Sequence, residues 1–434
     1  MASPSEKHDW GKQSRKSKSD LPICQTSVLR WTGFLPFGDS SFGIRPRKFI
    51  SCAVTCLAVA LLIGNVAYST VAVSRMLREV FAADPDQTAS DKPRNGSMKS
   101  IKGGWLGNLL YYLADLTAAA RSFIVLIIIL YKRNRWPALK QHTLELVRAC
   151  FPGDPDSERR LYRKVKWTSR ASLIATTIAY LYWTAVSWVE NAKAKNYTSV
   201  DVEVVFDPIP FSLTLRQHVE LDSVFRTLPF ILSLQAHLCG VFVVVILSEV
   251  LTGLHFEIAQ AGMEVSKEKV QRWGIVHVQM LHFVEEVRGM FQLIFFATYM
   301  TDFLDVIGSS AFFLSPDLIT SDWSYIHYIG TSCIFGVYAT VSVVPLIRVH
   351  EKSASLPEAV FILAVTLKAK NDKLATPDPS YVLLDKELRR FEKSCRHYPL
   401  MFSGLNYVHF TRELLFGTWT LMVSFLVLVN ELFK

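Results

Sequence analysis

The stretch Ser424-Phe425-Leu426-Val427-Leu428-Val429-Asn430-Glu431-Leu432-Phe433 completes a segment, about 412–433, with the length and apolar character of a membrane-spanning helix. Glu431 lies near the tip of that helix, and an ionisable group there needs either water or a partner. The segment therefore favours a membrane helix that lines a water-filled space.

The composition extends this interpretation to the whole chain. Half of the 434 residues are hydrophobic, only 20% are charged, and the mean hydropathy is +0.24. These values are typical of a multi-span membrane protein rather than a soluble domain. A bilayer needs roughly 20 apolar residues per helix. We therefore expect an all-α membrane protein of seven transmembrane helices, at about 49–74, 106–131, 168–190, 227–254, 290–314, 324–347 and 412–433.

The distribution of positive charge predicts the orientation. If the N-terminus is placed inside, the cytoplasmic segments carry 33 Lys and Arg residues, and the opposite segments carry 8. The positive-inside rule thus predicts a cytoplasmic N-terminus and an extracellular C-terminus. The net charge of +9 is then mostly a topology signal, and we expect no nucleic-acid partner. The first 48 residues lack the apolar stretch of a cleavable signal peptide, so none is expected.

Short motifs agree with this topology and indicate no enzyme. The glycosylation sequons at Asn95 and Asn196 both fall in predicted outside loops. All seven cysteines fall in predicted inside segments or helices, and none has metal-site spacing. Nucleotide-binding, kinase, hydrolase and zinc-protease motifs are missing from the sequence. We expect no catalytic residue, no metal and no cofactor.

The predicted inside segments also carry helical patterns. Apolar residues recur at helical spacing in 139–150, 265–287 and 383–391, and a basic amphipathic stretch at 157–167 leads into the third span. We expect these helices to extend beyond the inner leaflet. They either pack together into a cytoplasmic subdomain, which we favour, or lie on lipid headgroups.

The last helix resembles that of the insect and arthropod gustatory receptors, which are related to the insect odorant receptors. In that family the seventh helix carries Thr-Tyr, five hydrophobic residues and Gln-Phe. Here Ser424-Phe425 and Glu431-Leu432 keep the spacing, although all four residues differ and Glu431 adds a charge. The stretch 401–415 is similar to the family's approach to this helix, and 31–37 resembles its short Gly/Pro motif before the first helix.

The resemblance implies a plasma-membrane, ligand-gated, non-selective cation channel that is homotetrameric or heteromeric with related receptors. Its ligand would be a small-molecule tastant or metabolite. The implied domains are a basic cytoplasmic segment (1–48), a six-helix peripheral domain with the ligand pocket (49–347), a cytoplasmic helical anchor (348–405) and a pore-lining seventh helix (406–434).

The candidate pore residues share one broad face of the last helix. They are Thr420, Ser424, Val427, Leu428 and Glu431. Hydroxyls suit hydrated ions, Val427 and Leu428 suit a dewetting constriction, and a ring of Glu431 carboxylates favours cations. The alternative is that Glu431 simply meets water at the end of the helix.

Polar and aromatic residues within other spans are candidate ligand contacts. Intramembrane ionisable groups face a bundle interior and usually have partners. Such groups either form an interhelical pair, such as Arg121 with an aspartate, or line a wet pocket. Aromatic walls with a few polar groups suit small organic ligands. The candidates are Asp115, Tyr180, Trp183, Gln235, Asp302 and Tyr328.

Two other classes of membrane protein remain as alternatives. A G-protein-coupled receptor needs an outside N-terminus and typically carries Asp-Arg-Tyr and Asn-Pro-x-x-Tyr motifs, which this sequence lacks. A transporter often shows an internal repeat of spans, and none is detectable here.

Overall fold

The computed structural model describes residues 21–35, parts of 53–74, 104–151, 154–197, 204–206, 211–213, 223–262, 265–314, 322–372, 379–405 and 407–432. Within these residues the chain is almost entirely helical. The helices are α1 (Cys24–Trp31), α2 (Thr55–Ala67), α3 (Gly104–Lys132), α4 (Trp136–Cys150), α5 (Pro155–Tyr197), α6 (Leu228–Gln260), α7 (Lys267–Leu314), α8 (Asp322–Asn371), α9 (Pro379–His397) and α10 (Arg412–Leu432).

Among the described residues, two small antiparallel hairpins interrupt the helical pattern. Strands β1 (Val204–Phe206) and β2 (Phe211–Leu213) pair between α5 and α6. Strands β3 (Ser403–Gly404) and β4 (Val408–His409) pair between α9 and α10. The second hairpin reverses the chain immediately before the last helix begins.

The starts of several helices follow from local chemistry. The Asp154 carboxylate accepts hydrogen bonds from the backbone N–H groups of Asp156 and Ser157, at 3.2 and 3.0 Å, and so caps α5. Hydrogen bonding from Ser157 lowers the pKa of Asp154. Prolines stand in the first turns of α4 and α6, where a missing backbone N–H costs nothing.

Three helices among the described residues are long and apolar enough to cross a membrane. They are α6, the part of α7 from Lys267 to Ser310, and the part of α8 from Ile329 to Asn371. The seven-span count and the orientation of the termini stay predictions. The predicted domain boundary at 347/348 falls inside the continuous helix α8.

The longest helices extend well past a bilayer. Helix α7 has 48 residues and α8 has 50, so they measure about 72 and 75 Å at ~1.5 Å per residue. The hydrocarbon core of a bilayer is only about 30 Å thick. Helix α5 likewise continues the basic stretch at 157–167 into the predicted third span without a break.

Helix α6 forms the centre of the bundle. It packs against α3, α5, α7 and α8, and α1 contacts it as well. Most of its side chains are buried, and Val243, Val244, Ile246 and Leu247 are fully so. A helix that is apolar all round is stable only when it is enclosed, which explains why this segment occupies the core.

The helix extensions pack against one another, as the favoured interpretation of their apolar stripes predicts. Helix α9 lies against α7 and α8. Its Phe391 ring contacts the Trp273 and His277 rings of α7, with centroids 6.4 and 6.1 Å apart. The predicted stripe on α7 is buried along its whole length, at Val270, Val276, Met280, Phe283 and Val287.

Candidate functional site

A group of polar side chains is buried where α3, α6, α7 and α8 meet. We call it the buried polar cluster. Arg121 of α3 forms an ion pair with Asp302 of α7, and both side chains are 0% exposed. The Thr117 hydroxyl donates to the Asp305 carboxylate one turn away. The members of the cluster are Thr117, Arg121, His237, Asp302, Asp305 and Tyr338.

Aromatic rings enclose the Arg121 guanidinium. Its central carbon lies 5.3 Å from the ring centroids of both Phe230 and Tyr338. The Tyr338 hydroxyl is in turn hydrogen-bonded to the His237 imidazole at 2.7 Å. A cation held over two ring faces away from water gains substantially from each face. The guanidinium is therefore positioned by three helices at once.

The cluster retains unused hydrogen-bonding capacity. Among the described residues, Arg121 Nε and Nη2 and the second carboxylate oxygen of Asp302 have no hydrogen-bond partner. Buried polar groups without partners are costly, and water or a ligand commonly supplies the missing partner. A water molecule or another small polar group would satisfy these atoms.

An aromatic wall continues from the cluster toward α5. Trp183 stacks on Phe335 at 5.5 Å and meets Phe230 edge-on at 5.6 Å. The Trp183 indole N–H donates to the Thr331 hydroxyl at 3.3 Å. Phe230 thus contacts both the tryptophan and the arginine. Together these residues combine a large apolar surface with a few polar groups, which is the usual composition of a small-molecule site.

The structure brings only some of the predicted ligand residues together. Asp302 and Trp183 are joined through Arg121 and Phe230. Gln235 is buried, but its amide donates to Thr176 at 2.7 Å. Tyr180 is half-buried on α5.

Four other predicted residues have undescribed side chains or positions. The side chains of Asp115, Tyr328 and Asn196 lie outside the described residues, as does the whole of Asn95. These four assignments stay predictions.

Sequence reasoning missed several members of this region, among them Thr117, Phe230 and Tyr338. Phe230 and Tyr338 look like ordinary packing residues in apolar spans, and nothing in their spacing marks them. The available signal was the phenol hydroxyl of Tyr338, because a tyrosine in an apolar span usually finds a polar partner.

Helix α10 has one packed face. Its Thr418 hydroxyl is hydrogen-bonded to the Tyr299 hydroxyl of α7 at 2.7 Å. Its Trp419 ring meets Phe303 of α7 edge-on at 5.5 Å. Leu415 and Met422 are buried on the same face.

The opposite face of α10 is exposed in the single chain, and all five predicted pore positions are exposed on it. The Thr420 hydroxyl donates to the Phe416 carbonyl, and the Ser424 hydroxyl donates to the Thr420 carbonyl, each at 2.9 Å. Because each O–H group is directed at its own helix, the oxygen lone pairs remain free to face outward. This face therefore presents acceptors, which suit cations.

Two helices connect the buried polar cluster to α10. On α7, Asp302 pairs with Arg121 while the next residue, Phe303, contacts Trp419. On α8, Tyr338 contacts Arg121, and a Cβ at Gly336 would lie only 3.1 Å from the Trp419 ring. The cluster and α10 are thus joined by contacts on two helices.

Comparison with solved structures identifies the fold. The insect olfactory receptor OR5 from Machilis hrabei superposes with a TM-score of 0.66 over 93% of this chain and 96% of that chain. This chain has the fold of an insect olfactory receptor. The sequence identity of the receptor to this chain is 11%. The same receptor in complex with eugenol gives the same TM-score over 94% of this chain.

The match extends over nearly the full length of both chains, so the two proteins share the whole fold. Comparisons with family models and with curated protein sequences give no match.

Proposed function

We propose that this chain is a gustatory-type chemoreceptor that acts as a ligand-gated, non-selective cation channel in the plasma membrane, with α10 lining the pore. The observation that carries the proposal is the two-sidedness of α10. One face is packed against the turns of α7 and α8 that hold the buried polar cluster, and the other presents Thr420, Ser424, Val427, Leu428 and Glu431.

The exposed face supports a cation path. Outward-facing hydroxyl oxygens at Thr420 and Ser424 are acceptors for a hydrated cation. Val427 and Leu428, 58% and 55% exposed, supply the apolar constriction that gates by dewetting. Glu431 from each subunit adds a ring of carboxylates at the mouth, which attracts cations and repels anions.

The buried polar cluster supports a site for a small tastant or metabolite. Arg121 offers two N–H donors that have no partner among the described residues, beside the Trp183 and Phe230 rings. The structurally similar receptor binds eugenol, a small aromatic molecule, in one of its structures. We propose that the ligand stacks on the aromatic wall and places an acceptor against Arg121.

The same contacts supply the coupling between ligand and pore. A ligand acceptor at the two Arg121 donors that lack a partner among the described residues attracts the same guanidinium that Asp302 holds through Nη1, and so weakens that ion pair. Movement of Asp302 along or about α7 carries Phe303 and Tyr299, and these two residues hold α10. The ligand then biases the pore because it interacts differently with the two positions of α7.

Exposed apolar side chains on the helix extensions support assembly. Phe361, Ile362 and Val365 of α8 are at least half exposed, as are Val382 and Leu383 of α9. The lengths of the helices support a position for this region beyond a bilayer that also holds α6. Exposed apolar patches mark contacts with other proteins or with lipid. We propose that this patch contacts further subunits, in a homotetramer or a heteromer with related receptors.

The pore assignment is tested at Glu431. We expect Glu431→Lys to lower the permeability of Na⁺ relative to Cl⁻ at least several-fold, because the ring changes from anionic to cationic. Reversal potentials in asymmetric NaCl, measured on ligand-evoked currents, report this ratio. Glu358→Lys, which reverses an exposed carboxylate on α8 rather than on α10, is the matched control and should leave the ratio unchanged. An unaltered ratio in Glu431→Lys would show that the carboxylate ring is wrong.

A further inference from the structure

Positive side chains converge where α5, α6 and α8 meet at their predicted inner ends. The Lys164 ammonium of α5 pairs with Glu249 of α6 at 2.8 Å. The Lys352 ammonium of α8 donates to the Ser248 carbonyl of α6 at 3.3 Å, and to the Thr252 hydroxyl. These bonds join three helices at one depth.

The group carries more positive than negative charge. Lys352 interacts electrostatically with Glu249, Arg348 and Lys164. The charges that act on Lys352 are thus those of two further cations and one carboxylate. Arg348 is exposed, and among the described residues it forms no ion pair or hydrogen bond. Like charges this close repel, so an added anion would be stabilised here.

Two rows of exposed apolar side chains, one on α5 and one on α8, end at this group of charges. On α5 the exposed side chains Ile178, Ile174 and Trp167 follow one face down to Lys164. On α8 the exposed Val337 and Val341 follow one face down to Arg348. Residues three, four or seven apart lie on one side of a helix, so each apolar row ends in a cation. Trp167 is 65% exposed, which suits the boundary between acyl chains and headgroups.

We propose that Lys164, Arg348 and Lys352 form a binding site for the anionic headgroup of a phospholipid in the inner leaflet. The acyl chains lie along the exposed apolar rows of α5 and α8, and the phosphate sits between the three cations. Charge complementarity selects an anionic lipid, and the continuous apolar rows select a lipid over a soluble anion. The bound headgroup would link α8, which contacts the buried polar cluster, to α5 and α6.

The test is a lipid titration of the purified full-length receptor by native mass spectrometry. The probes are phosphatidylinositol 4-phosphate, phosphatidylcholine and soluble inositol 1,4-bisphosphate. We expect the anionic lipid to bind at least tenfold more tightly than the other two. We expect Arg348→Gln to weaken it by about fivefold, and Arg348→Gln with Lys164→Gln by about thirtyfold, since each cation near an anionic surface contributes about fivefold.

Matched variants keep the test decisive. Arg348→Lys retains the charge and should retain binding. Arg389→Gln with Arg390→Gln removes two exposed charges from α9, a helix that contributes no residue to the site, and should leave affinity unchanged. Equal binding of phosphatidylcholine, or full affinity in the double variant at Arg348 and Lys164, would overturn the site. Equal binding of inositol 1,4-bisphosphate would show that a free phosphate, not a lipid, is the ligand.

Discussion

Breaking the Arg121–Asp302 ion pair should destabilise the fold severely. Asp302→Asn removes the negative charge with almost no change in shape, so Arg121 keeps its full charge in a site that is 0% exposed. Removing one partner of a buried ion pair typically costs about 3–5 kcal/mol, because the other charge is left uncompensated. The two aromatic faces over Arg121 recover only part of this loss.

Removing both charges should cost much less than removing one. Arg121→Met with Asp302→Asn leaves no buried charge, and replacing a whole buried pair by apolar groups is often nearly neutral. We expect the double variant to recover about 2 kcal/mol or more relative to Asp302→Asn. Equilibrium unfolding in mixed SDS micelles measures the free energy of unfolding of each protein. The wild type, Asp302→Asn, Arg121→Met and the double variant together form a double-mutant cycle.

An exposed ion pair supplies the control. Arg389 and Asp385 of α9 pair at 2.8 Å, but the arginine is 67% exposed. Asp385→Asn should therefore leave the unfolding free energy within error, because solvent screens such pairs. If Asp302→Asn costs no more than this control, or the double variant is as unstable as the single one, the buried charge is compensated by another group and the reasoning fails.

Two further predictions concern packing and thiol reactivity. Gly336→Ala places a methyl group 3.1 Å from the Trp419 ring and should destabilise the protein by about 1 kcal/mol or more. Gly417→Ala is the control and should not destabilise it, because a Cβ there has no atom within 4 Å. The same SDS titration compares the two variants, and equal effects would contradict close packing of α8 on α10. Burial raises the pKa of the Cys395 thiol to about 12, so almost no thiolate exists at pH 8. We therefore expect iodoacetamide to label Cys395 only after unfolding. Peptide mass spectrometry measures the labelling, and labelling of the folded protein would contradict the burial.

Local patterns in the sequence predicted the burial of individual helix faces. The stripe from Val270 to Val287 is buried against its neighbours, and the stretch at 157–167 continues into a span. Both results depend on contacts within a few turns, where the helical period alone fixes which side chains share a face. The burial of α6 on every side also follows from its uniformly apolar sequence.

The partners within the buried polar cluster could not be predicted in the same way. The sequence indicated that Arg121 needed an aspartate, but Asp115, Asp302 and Asp305 were all available. The choice of Asp302, 181 positions away, depends on the depth and rotation of α3 relative to α7. Tyr338 and Phe230 complete the site because α8 and α6 are packed beside that pair, and no local pattern encodes this.

The sequence by itself predicted that 412–433 forms an apolar helix with Glu431 near its tip, because length and composition suffice for that conclusion, and the structure describes this helix as Arg412–Leu432. It also placed Thr420, Ser424, Val427, Leu428 and Glu431 on one face, because the helical period does so. Only the tertiary structure decided that the opposite face, with Thr418 and Trp419, is the packed one. The physical reason is that a helix with apolar residues on both sides can bury either, and the matching surfaces of α7 and α8 make the choice.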